Sequence, residues 1–222
     1  MSLYPIFLKL EGHKVLIVGG GAVAEQKIEA VLRSATDVTV IAPQLTGRIR
    51  TWVEERRLKH VATEYAPGMA QGYFLVIAGT DSEQINRAVY EEARKSGALA
   101  NVVDDPGYCS FYAPAVVSRG DFQIAISTGG ASPALAQQVR HELEDKYGPE
   151  YGPWTAWLGR TRAALRQALP RSETRRQLIR MLALGRPKRL SDDDRTNGDH
   201  HGRCKTQPVG KQVERGPEGA SA

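Results

Sequence analysis

Three short stretches carry residue types and spacings suited to chemistry. The first is Gly19-x-Gly21-x-x-Ala24, which follows the β-branched run Lys14-Val15-Leu16-Ile17-Val18. Gly19 permits a tight turn, and Gly21 lets the backbone approach a pyrophosphate with no Cβ in the way. Ala24 allows close helix–sheet packing. A helix opening there presents amide donors and a positive dipole end to an anion; the other reading is a glycine-rich turn with no ligand. The second stretch is Asn101-Val102-Val103-Asp104-Asp105-Pro106. In open parallel sheets ligands sit beyond the carboxyl ends of strands, so an acid there faces the reacting end of a dinucleotide. Such a carboxylate can take up the proton lost when hydride leaves a carbon. Two adjacent acids point in different directions, so at most one does this, and the pair taken alone reads first as a loop cap before proline. The third is Ser127-Thr128-Gly129-Gly130, ahead of Ser132-Pro133. It offers hydroxyls, amides and a helix N-terminus to an anion, or is a plain strand–helix turn.

These stretches need a scaffold, and the hydrophobic pattern supplies one. Residues 14–18, 37–41, 73–78 and 99–103 read as buried strands. Between them lie a helix over 23–33, a short helix around Ile49, Trp52 and Val53, and a helix through Ile85, Ala88, Val89 and Ala93 that ends at Gly97. This β-α-β-α alternation predicts a doubly wound, Rossmann-like parallel sheet with right-handed crossovers. After Pro106-Gly107 the pattern changes. Residues 115–117 and 122–126 read as a hairpin, and Pro133 opens a helix with Leu135, Val139 and Leu143 inward, Ser132 being its N-cap. Two further amphipathic helices follow, one through Trp154, Trp157, Leu158, Leu165 and Leu169, the other through Leu178, Ile179 and Leu182. The fold class is therefore α/β, with a small α+β region and a C-terminal helical domain after the sheet. The domains expected are 1–112, 113–150, 151–186 and a disordered polar tail over 187–222.

One expected dinucleotide feature is missing. The end of the second strand, Ile41-Ala42-Pro43-Gln44, holds no acid for the ribose hydroxyls. Main-chain groups or Gln44 can substitute, and NAD against NADP stays open.

Composition narrows the class. Hydrophobic content of 41% and charged content of 25% are ordinary for a folded globular protein. The N-terminus lacks a signal-peptide pattern, no apolar run approaches the roughly 20 residues a membrane span needs, and the two cysteines, Cys109 and Cys204, lie far apart. A cytoplasmic protein without disulfides is expected. The net charge of +5 is concentrated: ten basic residues and one acid lie between Arg160 and Arg189. That segment is a solvated helix face, or it meets a polyanionic small ligand or nucleic acid. Nucleic acid is disfavoured because no aromatics are interleaved for base stacking. His200, His201 and Cys204 lack a fourth ligand and a packed surround, so no metal site is expected. No Tyr-x-x-x-Lys pair occurs.

Read together and in order, these residues resemble one family. Tyr4-Pro5-Ile6-Phe7-Leu8, Val18-Gly19-Gly20-Gly21-x-Val23-Ala24-x-x-Lys27, Ala78-x-Thr80-Asp81, Asn101-Val102-Val103-Asp104, Phe111-x-x-Pro114-Ala115 and Ser127-Thr128-Gly129-Gly130-x-Ser132-Pro133-x-Leu135-Ala136 are similar to the N-terminal half of siroheme synthase. The match runs from about residue 3 to 184.

The resemblance implies NAD-dependent oxidation of precorrin-2 to sirohydrochlorin, a dimerisation region at 113–150 and an intertwined homodimer. In some members ferrous iron is then inserted as a substrate. It implies Asp104 as the catalytic carboxylate and Asn101, Ser127, Thr128, Gly129 and Gly130 on the tetrapyrrole side. On the nucleotide side it implies Gly19, Gly21, Ala22, Val23, Pro43, Gln44, Thr80 and Asp81. Precorrin-2 carries eight carboxylates, which suits a basic helical segment. The methyltransferase half of the fused enzyme has no counterpart in this sequence, so another protein is expected to methylate uroporphyrinogen. Thr128 stands where some relatives have serine, Asp105 is an additional acid, and iron insertion is left open. The competing class is a non-catalytic NAD-sensing module, which leaves the Asn101–Asp104 match unexplained.

Overall fold

The computed structural model describes residues 3–185 and 187. Its chain divides into two compact units, one of residues 1–117 with 124–144, the other of 118–123 with 145 onward. The span expected as a separate region at 113–150 is thus shared between them. The expected tail over 187–222 lies outside the described residues except Pro187.

The first unit is built on five parallel strands, β1 (Lys14–Val18), β2 (Asp37–Ile41), β3 (Lys59–Val61), β4 (Leu75–Ala78) and β5 (Leu99–Val102), in the order β3-β2-β1-β4-β5. Val15, Leu16, Ile17 and Val18 are all buried because both faces of β1 are covered. One face packs Val15, Ile17, Val38 and Val40 against α1 (Ala22–Val31) and α2 (Gly47–Glu54); the other packs Leu16, Val18, Val76 and Ala100 against Val89 and Ala93 of α3 (Glu83–Lys95). β3 escapes a sequence reading because Lys59-His60-Val61 is short, polar and at the sheet edge. Its pairing with β2 runs through Thr39, Val40 and Ile41, and a Lys59–Asp37 ion pair of 2.8 Å lies beside it.

The order reverses between β1 and β4, whose strands pair in parallel from Val15–Leu75 to Val18–Ala78. This is a topological switch point, where the loops after neighbouring strands diverge and leave a crevice. The Gly19–Ala24 turn and the Gly79–Asp81 loop line it.

Strands β6 (Ala115–Arg119) and β7 (Phe122–Ile126) form the expected hairpin, followed by α4 (Pro133–Lys146). Along α4 the buried residue is Ala136, whereas Leu135 is half exposed. Of the expected inward stripe, Val139 and Leu143 are partly buried and Leu135 is not.

In the second unit, Phe122 at the hairpin tip stacks on Tyr147 and Tyr151, with ring centres 5.4 and 5.1 Å away. Helices α5 (Tyr151–Ala168) and α6 (Glu173–Leu184) complete it, α6 being capped by Ser172 on the Arg175 amide.

Candidate functional site

The glycine turn is sewn between the loops that follow β2 and β4. The Gly19 amide donates to Ile41 O at 2.9 Å, the Thr46 amide to Gly20 O at 3.0 Å, and the Gly79 amide to Val18 O at 2.9 Å. Gly19 has φ +122°, and a Cβ there would run into the Gly79 carbonyl. A Cβ on Gly20 would strike the Gln44 carbonyl, yet one on Gly21 would meet nothing within 4 Å. The three glycines thus divide their tasks: two permit backbone-to-backbone approach, and the third faces open space.

Gly21 is also the N-cap of α1, with no side chain bonded to the first-turn amides. Helices α2 and α3 differ, since Thr46 and Ser82 cap them through Ile49 and Ile85. Uncapped amides, a dipole end and an open Gly21 fit a pyrophosphate. Ala22 and Val23 sit on this exposed first turn. Pro43 and Gln44 line a groove of about 400 Å³, completed by Arg50, Glu54 and His60 among others. His60 is held there by donating from Nε2 to the Ala42 carbonyl at 2.9 Å. Arg50 and His60 carry no motif signal, because their place beside Gln44 depends on how α2 and β3 fold against β2.

Thr80 and Asp81 lie on the opposite lip. The Thr80 hydroxyl and amide both donate to Asn86 Oδ1, at 2.8 and 3.1 Å, and Asn86 Nδ2 donates back to Thr80 O at 2.9 Å. The buried Asn86 therefore holds this loop, and it was missed because an asparagine within a helical repeat carries no motif.

Beyond β5 the chain folds back on itself. A three-residue 3₁₀ turn, Pro106–Tyr108, leads into an antiparallel bridge between Asn101 and Cys109. Asp105 Oδ1 accepts from the Gly107 amide at 3.2 Å, so this acid serves as the loop cap. Asp104 is exposed, has φ +62°, and its carboxylate meets no hydrogen-bond or ion-pair partner among the described residues. Left-handed backbone at a non-glycine residue is uncommon and persists where surrounding contacts enforce it. Here the Cys109 thiol lies 3.2 Å from both the Val102 and Asp105 carbonyls, which flank Asp104. Burial pushes the Cys109 thiol above its ordinary pKa, so it remains a neutral hydrogen-bonding group.

Asn101 is buried and its Nδ2 donates to Phe111 O at 2.9 Å and to Cys109 Sγ at 3.3 Å. Its amide group is committed to the loop. The next residue, Tyr112, approaches Gly130: its Cε2 would lie 3.7 Å from a Cβ built there. Asn101 thereby ties the Asp104 loop to Phe111, and the neighbouring Tyr112 ring lies near Gly130. In that turn Gly129 and Gly130 have φ +64° and +86°. The Ser127 and Thr128 hydroxyl oxygens accept from the Gly129 and Ser132 amides, at 3.1 and 3.0 Å. Both hydroxyl protons stay available for an anionic ligand.

This geometry has known counterparts. Residues 6–115 match a family described as NAD(P)-binding, and residues 119–146 match one described as sirohaem biosynthesis protein, central. The siroheme synthase of Methylobacillus flagellatus is 36% identical over 176 residues, covering 79% of this chain and 38% of that protein. Siroheme synthase 2 of Halorhodospira halophila is 41% identical over 154 residues, covering 68% of this chain and 31% of that protein. The solved structure of SirC, precorrin-2 dehydrogenase, superposes with a TM-score of 0.70 and 27% identity, covering 87% of this chain and 92% of that one. The chain carries an NAD(P)-binding domain followed by the central region of the sirohaem biosynthesis proteins. It spans about two fifths of the length of the siroheme synthases it matches. The NAD(P)-binding match covers the five-stranded sheet of the first unit.

Among the described residues no helix is long and apolar enough to cross a membrane, and no cluster of three His, Cys, Asp or Glu side chains could hold a metal ion. His200, His201 and Cys204 lie outside those residues.

Proposed function

We propose that this protein oxidises precorrin-2 to sirohydrochlorin with NAD, in the cytoplasm, as a homodimer. The observation that carries the reading is the pairing of two features in one unit. An uncapped α1 N-terminus stands at the sheet's switch point, and an Asp104 carboxylate without a partner among the described residues is held in a left-handed turn beyond β5.

NAD, when bound, supplies the hydride acceptor. The α1 amides and Gly21 hold its pyrophosphate, while Pro43 and Gln44 meet the adenosine end and Thr80 and Asp81 the opposite lip. Asp104 accepts the proton that leaves the tetrapyrrole as hydride departs from a ring carbon. The Ser127 and Thr128 hydroxyls and the Gly129 and Gly130 amides bind tetrapyrrole carboxylates. Asn101 acts by fixing the loop instead of touching substrate. Ferrous iron, where inserted, is a second substrate, with Asp104 taking up pyrrole protons.

An anaerobic assay with precorrin-2 and NAD, followed by optical absorption, tests this. Appearance of sirohydrochlorin is expected. Nucleotide binding without turnover, with either NAD or NADP, would instead identify a sensing module. Adding ferrous ion to sirohydrochlorin tests metal insertion separately.

A further inference from the structure

Helices α5 and α6 are joined by only four residues, 169–172, which makes them an antiparallel hairpin. Between them lies a groove of about 540 Å³, within the range of small-molecule sites. Leu158, Ile179, Leu182 and Ala183 give it an aliphatic surface. Arg162, Arg166, Arg175 and Arg176 also line it, all on the helix halves nearest the connecting turn. The groove is therefore polarised, apolar towards one end and cationic towards the other.

Two of the four arginines are engaged by the protein and two are not. Arg176 pairs with Glu173 at 2.7 Å, and Arg175 donates to the Leu169 carbonyl at 3.0 Å. Arg162 and Arg166 have no hydrogen-bond or ion-pair partner among the described residues, and Glu173 is the only acid between Arg160 and Arg189. Arg162 and Arg166, one turn apart on α5 with no acid between them, repel one another unless an anion joins them. The ligand that satisfies both ends has several carboxylates on a flat apolar body. A nucleic-acid strand fits less well, because no aromatic side chain lines the groove for base stacking.

We infer that the α5–α6 groove binds one edge of a polycarboxylate tetrapyrrole, with Arg162 and Arg166 gripping its carboxylate arms. Guanidinium groups suit this because they engage carboxylates bidentately. The inference rests on the tetrapyrrole reading above and assigns this groove of the second unit to the same class of ligand.

The probe is uroporphyrin, a stable tetrapyrrole with eight carboxylates, titrated into the full-length protein and followed by quenching of the tryptophans; Trp154 and Trp157 lie on α5. The double variant Arg162→Gln/Arg166→Gln is expected to weaken uroporphyrin binding at least tenfold and to flatten its salt dependence. Arg162→Lys/Arg166→Lys, which keeps charge but not bidentate geometry, should recover part of the loss. Unchanged affinity and salt slope in the Gln variant, with its melting curve intact, would overturn the groove assignment even if precorrin-2 is oxidised. Arginine-dependent uroporphyrin binding without any precorrin-2 turnover would instead leave the groove standing and remove the proposed reaction.

Discussion

The Asn101 side-chain amide lies 3.3 Å from the sulfur of Cys109, eight residues later, and this contact closes the loop that carries Asp104. The same sulfur lies 3.2 Å from the carbonyls on either side of Asp104, while the same amide donates to Phe111 O. Asn101 and Cys109 thus hold the loop in which the Asp104 carboxylate meets no hydrogen-bond or ion-pair partner among the described residues.

Replacing Asp104 by Ala is expected to lower precorrin-2 oxidation at least about 100-fold, the lower end of what a positioned general base contributes. Nucleotide affinity should not change, because the glycine turn lies after β1 and not after β5. Steady-state rates and an NAD titration on the same preparation check both halves. Asp105→Ala should cost less, its carboxylate being bonded to the Gly107 amide.

Cys109→Ala removes the hydrogen-bonding group between the Val102 and Asp105 carbonyls, and kcat should fall severalfold with the KM for NAD unchanged. Cys109→Ser keeps a donor at the same place and should restore most of the rate. If Cys109 serves packing alone, the two variants will share wild-type kcat and pH profile.

The glycines separate stability from binding. Gly19→Ala forces a left-handed backbone on alanine and drives its Cβ into the Gly79 carbonyl, at a cost of about 1–3 kcal/mol. That should appear as a melting temperature lower by several degrees without any nucleotide. Gly21→Asp has room for its side chain and should melt near wild type. It puts a negative charge where a pyrophosphate is expected, so nucleotide affinity should fall at least tenfold. Unchanged affinity would refute the proposed pose.

Acid sensitivity should come partly from Glu92. Burial pulls its pKa upward, but hydrogen bonds from the Tyr65 hydroxyl and the Gly68, Ala70 and Gln71 amides outweigh this and hold it below the ordinary value. The Tyr65 and Ala70 contacts measure 2.5 and 2.9 Å. A depressed carboxylate pKa stabilises the fold at pH values above the unfolded value of about 4.3 and loses that contribution as pH falls through the folded one. Urea midpoints between pH 7 and 3 should therefore fall more steeply in wild type than in Glu92→Gln. Equal slopes would show that this carboxylate does not couple folding to protons.

Much of the scaffold was legible in the residues. The β-branched run ending in Gly19-Gly20-Gly21 marked β1 and the turn, since local backbone sterics and continuous burial are properties of neighbouring residues. The hairpin at 115–126 and the Pro133 helix start were readable for the same reason. β3 was not, because a short polar edge strand exists only through its partner. Leu135 was misjudged because the face a helix buries is chosen by what packs on it. The sequence by itself determined a dinucleotide fold, its phosphate turn and the two candidate acids. The family resemblance singled out Asp104, and only the tertiary structure showed that Asp105 accepts from the Gly107 amide while Asp104 has no such partner among the described residues. The tertiary structure alone also brought Asn101 to Cys109 and Tyr112 to Gly130, because approaches across 8 and 18 positions depend on chain reversal and not on local spacing.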